Sequence, residues 1–540
     1  MIILHNANIF SPDHRGATAL AIEDDCFIAV GNDAEILASF PSSAKTINLH
    51  GMTILPGLID AHIHLRHLAE SMSIVDCETS TLQECLLRVK NVVERLPKDA
   101  WVRGHGWNHN QWREGYGNAN LLDQVCEERP AYLTAKSLHA GWANSQALKL
   151  AGIDAETPDP PGGVIQRSAN GQPTGILLEA GAMNLIETLL PKPTVEDTIH
   201  KMKALLPELW KVGLIGIHDF DDYTCWMALQ VLNQECSTLL RVHKQIPFTD
   251  LDVFINAGMS TGFGDYRLSL GGVKLFSDGA LGPHTAAMHE PYEGTHTTGD
   301  LLLTEDEIVD IGCHSANHGV ALTVHAIGDK AIHIVLNAIE RIRIYEEIHH
   351  YPHLPHRIEH VQIITPDDLP RFKKLGVIAS IQPVHAPSDM VMADRFLGQR
   401  SHYAYAYRSI LDAGADYVMG SDAPVEPFNP FYGIHAAVTR RRLDGSPGDE
   451  GWHPDQRISL AEALQGFSLA PCLLAGHGRQ LGKISPGYQA DFLILKEDPF
   501  KIHPHDLGSL KPLATFIAGE CKHNSVNFPF EVQNILGQFV

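Results

Sequence analysis

Cysteine is scarce in this sequence, and no two cysteines stand at a short spacing. The 540 residues include nine cysteines and no Cys-x-x-Cys motif. A disulfide-stabilised domain is small and rich in cysteine, so this class of protein is excluded. We expect reduced, mostly buried thiols in a protein of the cytoplasm.

Basic residues are few relative to acidic ones. Lysine and arginine number 41 against 64 aspartate and glutamate residues, which gives a formal net charge of −23. Nucleic acids and anionic membranes are bound mainly through lysine and arginine, so neither is an expected partner. No apolar run approaches the ~18 residues that span a membrane, and the N-terminus lacks the pattern of a signal peptide. The oligomeric state stays open, a homodimer included.

Motifs of several enzyme classes are absent as well. The sequence has no Walker-type phosphate loop, G-x-G-x-x-G or H-E-x-x-H, which argues against kinases and dinucleotide dehydrogenases. Histidine, by contrast, is abundant, with 32 residues in 540. Because histidine is a common metal ligand and proton carrier, this excess favours metal chemistry.

Both ends of the chain show short strand patterns separated by polar turns. Neither end has enough strands for a stable sheet of its own. We therefore predict one composite β-sandwich domain formed by residues 1–53 and 479–540. The strand patterns are Ile2–Phe10, Ala19–Val30, Lys45–Leu49, Gly487–Leu495 and Ala514–Ile517.

The middle of the chain, residues 54–478, alternates apolar runs with helical patterns. Apolar strands separated by helices indicate an α/β protein with a parallel sheet, and eight such units predict a (β/α)8 TIM barrel. The long first connection, about 66–200, contains the segments 101–112 and 157–163, and we predict that it is an inserted lid. The eight runs are Thr53–His62, Gly213–Phe220, Leu239–Pro247, Leu268–Phe276, Val320–His325, Arg357–Val361, Val377–Gln382 and Tyr417–Gly420.

The first barrel strand ends in a pair of histidines, His62 and His64. A strand has a side-chain period of two, so both imidazoles lie on one face and could hold one metal. The spacing alone is weak evidence, because the chain has another such pair, His503 and His505, in a proline-rich segment. Two half-buried structural histidines are the alternative interpretation.

Later strands carry suitable residues near the same end. His325 and His360 each close a strand, and Asp422 follows the last one. Lys274 lies within an apolar strand, and a lysine is almost never buried without a partner. The carboxyl ends of parallel strands meet at the barrel mouth, so we expect these residues to converge there with the first histidine pair.

Six short motifs follow one another over residues 55–491. They are Leu55-Pro-Gly-Leu-Ile-Asp-Ala-His-Ile-His64, Val273-Lys-Leu-Phe-Ser-Asp-Gly-Ala-Leu-Gly282, Val324-His-Ala-Ile-Gly-Asp329, Arg357-Ile-Glu-His-Val-Gln362, Gly420-Ser-Asp-Ala-Pro-Val425 and Gly487-Tyr-Gln-Ala-Asp491. In these motifs the sequence resembles the amidohydrolase superfamily of metal-dependent hydrolases, and within it the YtcJ-like branch that includes N-substituted formamide deformylases. The resemblance implies a (β/α)8 barrel with a composite β-sandwich, in agreement with the strand patterns.

The resemblance also implies roles for the residues at the strand ends. By motif, His62, His64 and Asp422 bind the more buried metal, while His325 and His360 bind a second one. One or two divalent ions are implied, with zinc expected, although a site of nitrogen and oxygen ligands accepts several metals.

By the same resemblance, Lys274 is carboxylated on its amine by CO2 and bridges the two metals. Uptake of CO2 needs a neutral amine, and burial near cations lowers the pKa of a lysine. A metal-activated hydroxide then attacks the carbonyl of a small-molecule amide, and Asp422 moves the proton to the departing nitrogen. The expected reaction is cleavage of a non-peptide C–N bond, such as that of an N-formyl or N-acyl amide.

Other functions stay open for the same site. A deaminase or an ester or lactone hydrolase could use it, since fold does not fix chemistry. A metal-binding scaffold without activity is a third alternative. The complete ligand set argues against the scaffold, because a scaffold need not keep a base such as Asp422 beside the metals.

Four further residues are weaker candidates for a role at the site. His139, in Ser137-Leu-His-Ala-Gly-Trp-Ala-Asn144, resembles a family motif that reaches the substrate from the inserted segment. Asp278 and Asp329 follow ligand strands, and we expect them to orient ligands or bind substrate. His385, in Gln382-Pro-Val-His-Ala-Pro387, could face the barrel mouth, but a loop histidine is the favoured interpretation.

Overall fold

The computed structural model describes residues 1–72, 74–98, 100–109, 112–135, 140–191, 194–235 and 240–525. The chain divides into two compact units. The first consists of Met1–Leu65 and Met202–Val540, and the second of Arg66–Lys201. Among the described residues, no helix is long and apolar enough to cross a membrane.

The N-terminal segment is a series of short strands. In chain order the elements are β1 (Ile2–His5), β2 (Asn8–Ile9), β3 (Ala19–Glu23), β4 (Cys26–Gly31), α1 (Asp33–Ser39), β5 (Lys45–Asn48), β6 (Thr53–Pro56) and β7 (Leu58–Ile63). Strand β1 pairs antiparallel with β3 and parallel with β5, and β4 completes this four-stranded sheet. Helix α1 is capped by Asn32, whose side chain accepts the backbone N–H of Glu35, which satisfies one of the free donors of the first turn.

The predicted first barrel strand, 53–62, is two strands in the structure. The chain changes hydrogen-bonding partner at Gly57, which donates to the Asp491 carbonyl, while Leu58 donates to the Gly213 carbonyl. Gly57 also allows a close approach, because a Cβ atom there would lie 2.5 Å from Ile215 Cγ1. The continuous prediction was therefore wrong at this glycine: β6 belongs to a terminal sheet, and β7 begins the barrel.

The second unit is built around a six-stranded sheet with the order β12-β13-β11-β10-β9-β8. Its core buries Trp107, Trp112 and Trp142, and two of these come from the segment 101–112. The elements from here to the second barrel strand are α2 (Leu65–Ser71), β8 (Val75–Asp76), α3 (Leu82–Val93), β9 (Val102–Trp107), α4 (Ala119–Cys126), β10 (Ala131–Ala135), β11 (Ala140–Ala143), α5 (Ser145–Leu150), β12 (Val164–Arg167), β13 (Pro173–Leu178), α6 (Glu179–Glu187) and α7 (Val195–Lys211).

Eight parallel strands form a sheet that nearly closes into a barrel, which confirms the prediction of eight barrel strands, although only the part of the first predicted run from Leu58 onward belongs to it. Their order is β7-β14-β15-β16-β17-β18-β19-β20, and Ile63, at the end of β7, forms a parallel bridge with Ala423 just beyond β20. The elements are β14 (Leu214–Asp219), α8 (Tyr223–Glu235), β15 (Arg241–Pro247), a 3₁₀ helix (Phe248–Asp250), α9 (Leu251–Asn256), β16 (Leu268–Phe276), α10 (Glu305–Ala316), β17 (Leu322–Ala326), α11 (Asp329–Ile348), β18 (Arg357–His360), α12 (Leu369–Leu375), β19 (Ile378–Ile381), α13 (His385–Leu397), a 3₁₀ helix (Gly398–Tyr403), α14 (Tyr407–Asp412), β20 (Tyr417–Met419), α15 (Pro430–Thr439), a 3₁₀ helix (Pro454–Gln456), α16 (Leu460–Gly466) and α17 (Leu469–Leu474).

The C-terminal segment joins the N-terminal one in a sheet. Its elements are β21 (Phe492–Leu495), a 3₁₀ helix (Pro504–Ser509), β22 (Pro512–Ile517) and β23 (Glu520–Asn524). They pair with N-terminal strands in the order β2-β6-β21-β22-β23. One hydrophobic cluster joins this sheet to the N-terminal sheet and includes Leu4, Leu20, Ile54, Phe492 and Phe516. The assignment of residues 1–53 and 479–540 to one β-sandwich domain stays a prediction.

Candidate metal centre

The carboxyl ends of the barrel strands carry the residues that the sequence singles out. Side chains at this end of parallel strands converge on one mouth, which is where barrel enzymes build their sites. The residues and their elements are His62 in β7, His64 just after it, Lys274 in β16, His325 in β17, His360 at the end of β18, and Asp422 three residues after β20.

The backbone is unusual at two of these positions. His360 and Asp422 have φ angles of 74° and 63°, in the left-handed region that non-glycine residues rarely adopt. The Asp422 N–H donates to the His62 carbonyl over 2.7 Å, which ties the end of the last strand to the end of the first. Strain of this kind persists where the surrounding structure determines the conformation, and it is common at functional sites.

Three potential ligands form the centre of the cluster. His62, His360 and Asp422 are buried, and one ligand atom of each lies within 4.8 Å of the others. Asp422 Oδ1 lies 3.3 Å from His62 Nε2 and 3.5 Å from His64 Nε2. The His325 ring is 4.6 Å from the His360 ring, measured between centroids. The four histidines and the aspartate are therefore brought together.

Both histidines of the first pair hold a carboxylate through Nδ1. His62 Nδ1 lies 2.5 Å from Glu359 Oε2, and His64 Nδ1 lies 3.2 Å from Asp221 Oδ1. A carboxylate only accepts, so each Nδ1 carries a proton, and Nε2 is the ring nitrogen left to act as a metal ligand. Nε2 of both rings faces Asp422 Oδ1.

His360 and His325 also have one ring nitrogen held by a protein partner. His360 Nδ1 lies 2.9 Å from Gln382 Oε1, which leaves Nε2 free to act as a ligand atom. His325 differs, because its Nε2 donates to the Gly279 carbonyl over 2.9 Å. Its Nδ1 is thus the atom with the available lone pair. Partners of this kind fix ring orientation and tautomer in metal sites.

Lys274 is buried between two aromatic rings. Its Nζ lies 4.7 Å from the ring centre of Phe220 and 4.8 Å from that of Phe276. Phe220 in turn stacks on His62 with 3.8 Å between ring centres. Within the described part of the chain, Nζ has no ion-pair partner. Burial lowers the pKa of Lys274 to about 8, although Glu359 and Asp422 act in the opposite direction.

The electrostatics suit a cation. Burial lowers the pKa of His62 to about 4, which keeps this ring neutral at pH 7. Burial alone would raise the pKa of Asp422, but His62, His385 and His64 hold it well below its usual value. Burial also lowers the pKa of His325 and His360. At His64 burial acts in the same direction, but Asp221 and Asp422 outweigh it and raise the pKa to about 9. Imidazoles beside ionised carboxylates form the nitrogen and oxygen donor set that divalent zinc and related ions take. The residues present therefore fit the predicted group.

The three secondary candidates have different environments. Asp278 is fully buried and accepts the backbone N–H groups of Ile327, Gly328 and Ala287 over 2.8–3.0 Å. Burial raises its pKa to about 7, and its Oδ1 lies 3.5 Å from His325 Nε2.

Asp329 begins α11 and accepts the backbone N–H of His289 over 2.8 Å, so it holds the loop that follows β16. His139 lies outside the described residues, and its predicted role stays a prediction.

One residue near the centre differs from its favoured sequence interpretation. His385 is the first residue of α13 and is 6% exposed, rather than a loop histidine. Its Nε2 lies 3.4 Å from Asp422 Oδ2. Its position shortly after the seventh barrel strand was an available signal, because the residues that follow strand ends line the mouth.

Other clusters of potential ligands occur among the described residues. His402, His453 and Asp455 form one that is largely exposed. A buried group of Asp219, Asp221 and Cys225 is already balanced by Lys244, whose Nζ lies 3.0 Å from Asp219 Oδ2. Within the described part of the chain, the pair His503 and His505 brings no third ligand, and His505 contacts Arg441.

Comparisons with known proteins agree with this arrangement. The protein YtcJ of Bacillus subtilis (strain 168) is 31% identical over 531 residues, covering 96% of this chain and 98% of that protein. The N-substituted formamide deformylase of Arthrobacter pascens is 29% identical over 545 residues, covering 97% and 98%. The crystal structure of an uncharacterized metal-dependent hydrolase from Pyrococcus furiosus is similar with a TM-score of 0.76 and 26% identity, covering 93% of this chain and all of that one. The model of the amidohydrolase family matches residues 45–523, and the chain therefore belongs to the amidohydrolase family.

Proposed function

We propose that this protein is a metal-dependent hydrolase that cleaves a non-peptide C–N bond in a small-molecule amide. The observation that carries the proposal is the buried cluster of His62, His360 and Asp422, whose ligand atoms lie within 4.8 Å of one another. The formamide deformylase among the relatives supports an N-formyl or N-acyl amide as the substrate.

One or two divalent ions, with zinc as the expected one, would be held at the barrel mouth. A bound dication polarises a carbonyl group and lowers the pKa of water toward ~7. The proposed ligands are His62, His64, Lys274, His325, His360 and Asp422.

We propose that Lys274 carries a carbamate formed from CO2. Support comes from its buried Nζ, which has two aromatic neighbours and no ion-pair partner within the described residues. A lysine amine in this environment is costly to charge. Conversion to a carbamate turns the side chain into an anionic oxygen ligand, which a pair of dications requires.

Asp422 is assigned the transfer of the proton to the departing nitrogen. Its two oxygens face different groups, since Oδ1 is directed at the first histidine pair and Oδ2 at His385. One oxygen can therefore stay on the metal side while the other exchanges a proton with the substrate.

The secondary residues follow from their contacts. We assign to Asp278 the role of orienting His325. Three backbone N–H groups hold the Asp278 carboxylate in place for this role. We assign to Asp329 the role of holding the loop after β16 in place, through the backbone N–H of His289. We keep the inserted segment with His139 as a lid, the terminal β-sandwich, a cytoplasmic location and a homodimer as proposals from the sequence.

Metal analysis combined with turnover tests the function. The purified protein, as isolated and after zinc loading, is assayed on N-butylformamide, a butyl ester, a lactone and adenosine. We expect bound metal, amine release from the amide and loss of turnover on chelation. Ester or lactone cleavage without amide cleavage, ammonia release from adenosine, or a metal-loaded protein without turnover would each replace the proposal with one of its alternatives.

A further inference from the structure

A fifth histidine lies beside the proposed ligands. His385 follows barrel strand β19, is 6% exposed, and has its ring centre 6.4 Å from that of His360. Its Nε2 is 3.4 Å from Asp422 Oδ2 and makes no hydrogen bond within the described part of the chain. This buried nitrogen thus has an ion-pair contact with the oxygen to which we assign proton transfer, but no hydrogen bond of good geometry within the described residues.

The environment of His385 differs from that of the other four histidines. Each of those has one ring nitrogen engaged by a fixed protein partner, which orients the ring and leaves the other nitrogen for a metal. Buried polar atoms that make no hydrogen bond are rare in native structures, because an unmade hydrogen bond costs free energy. The four fixed partners are Glu359, Asp221, Gln382 and the Gly279 carbonyl.

The geometry of Asp422 indicates where a hydrogen-bonding partner of His385 Nε2 would lie. Its Oδ1 is directed at His62 and His64, on the side of the proposed metals. Its Oδ2 is directed at His385, on the other side of the carboxylate. A group that exchanges a proton with Oδ2 is therefore within reach of His385 Nε2.

We propose that His385 is a substrate-binding residue, whose Nε2 forms a hydrogen bond with the acyl group that lies against Asp422 Oδ2. The inference rests on the proposed function, since it takes that acyl group to be the one that is cleaved. His385 belongs to the barrel and begins a helix of 13 residues. Its position is therefore fixed before the ligand arrives, which reduces the entropic cost of binding.

The test uses the whole protein loaded with cobalt(II), whose visible absorption reports ligand binding. The probe is acetohydroxamic acid, a small acyl compound that binds divalent metals. His385→Ala removes the contact, whereas the amide nitrogen of His385→Gln reaches about as far as imidazole Nε2. Val391→Ala is the matched control, because Val391 is an exposed residue of the same helix.

We expect equal cobalt content in all variants. The Kd of the probe should rise about tenfold in His385→Ala, as for the loss of one buried hydrogen bond, and by clearly less in His385→Gln. Val391→Ala should match the wild type. If His385→Ala does not fold, His385→Asn takes its place, since its amide nitrogen reaches only to the position of Nδ1.

Three results would overturn the inference. They are an unchanged Kd in His385→Ala, loss of cobalt from that variant, which would make His385 a ligand, and a wild type that does not bind the probe. Amide turnover is measured separately on N-butylformamide. Absence of amide cleavage with the expected Kd pattern refutes only the proposed reaction, whereas cleavage with an unchanged Kd refutes only the role of His385.

Discussion

The carboxylate of Glu359 should control metal binding although it is not a proposed ligand. Its Oε2 lies 2.5 Å from His62 Nδ1 and accepts Arg357 Nη2 over 2.9 Å. All three side chains are at most 2% exposed. Both neighbours donate to Glu359, so the carboxylate keeps the proton of His62 on Nδ1 and the lone pair on Nε2.

The substitution Glu359→Gln keeps the shape but exchanges one acceptor oxygen for an NH2 donor. If this donor faces His62, Nδ1 must accept, and the proton moves to Nε2, where the metal would bind. If this donor faces Arg357, the NH2 group and the Arg357 guanidinium are two donors directed at each other, with no acceptor between them. Partners of metal-bound histidines contribute about 10–100-fold to metal affinity, so we expect a loss of about 1.4–2.7 kcal/mol in metal binding.

His62, Glu359 and Arg357 form one buried triad. A second buried triad, Arg343, Glu346 and His356, provides the matched control. Glu346 accepts Arg343 Nη1 over 2.7 Å, and its Oε1 lies 3.2 Å from His356 Nε2. Breaking a buried ion pair costs about 3–5 kcal/mol of stability, so Glu346→Gln and Glu359→Gln should be destabilised to similar extents. Only Glu359→Gln should lose metal affinity.

The assay is competitive titration of the apo-proteins with zinc and a chromophoric chelator, alongside urea unfolding of the same samples. Wild-type metal affinity in Glu359→Gln would refute the reasoning. Equal losses of metal affinity in both variants would also refute it, because the effect would then come from general destabilisation.

Four further predictions concern the centre and the stability of the barrel. Lys274→Ala should lose metal, and added acetate should restore part of the metal and activity; full metal content without rescue would contradict a carbamate. Asp422→Asn should keep much of its metal but lose about 10²–10⁴-fold in turnover, as for a general acid–base group, whereas metal loss in step with activity would make it a ligand only. Replacing His503 and His505 with Ala should leave metal content unchanged, and any loss measured by metal analysis would refute the strand-end argument. Burial lowers the pKa of His243 from 6.5 to about 3, so the stability of the folded protein that depends on neutral His243 is present above pH 6.5 and is lost as the pH falls toward 3. The free energy of unfolding should fall by up to ~1.4 kcal/mol per pH unit in this range. Urea unfolding of the apo-protein should therefore show a smaller loss of stability in acid for His243→Gln, and parallel curves for the two proteins would contradict this.

The barrel strands could be predicted because burial on both faces produces continuous apolar runs. The break at Gly57 could not, since the residues on both sides of it are apolar and buried. Only the change of hydrogen-bonding partner, from the Asp491 carbonyl to that of Gly213, separates the two strands. Hydrophobic pattern indicates which residues are buried, but it does not indicate which strand lies beside them.

The candidate ligands could be predicted from their positions at strand ends, where the fold brings them together. The carboxylates that orient His62 and His64 were not found, because their roles depend on partners far apart in sequence. Glu359 is 297 residues from His62, and Asp221 is 157 residues from His64. For His385 the loop interpretation was favoured, because a histidine that follows a strand has the same local sequence character whether it faces solvent or the barrel mouth.

The two buried triads show why local sequence cannot assign these roles. Each joins an arginine and a histidine through a glutamate, and each has a glutamate that is fully buried. Glu346 lies on a helix, and its partner His356 precedes the amino end of β18. Glu359 lies one residue before His360, at the carboxyl end of that strand. The side chains are chemically equivalent, so the difference we expect in metal binding comes from the end of the barrel at which each triad lies.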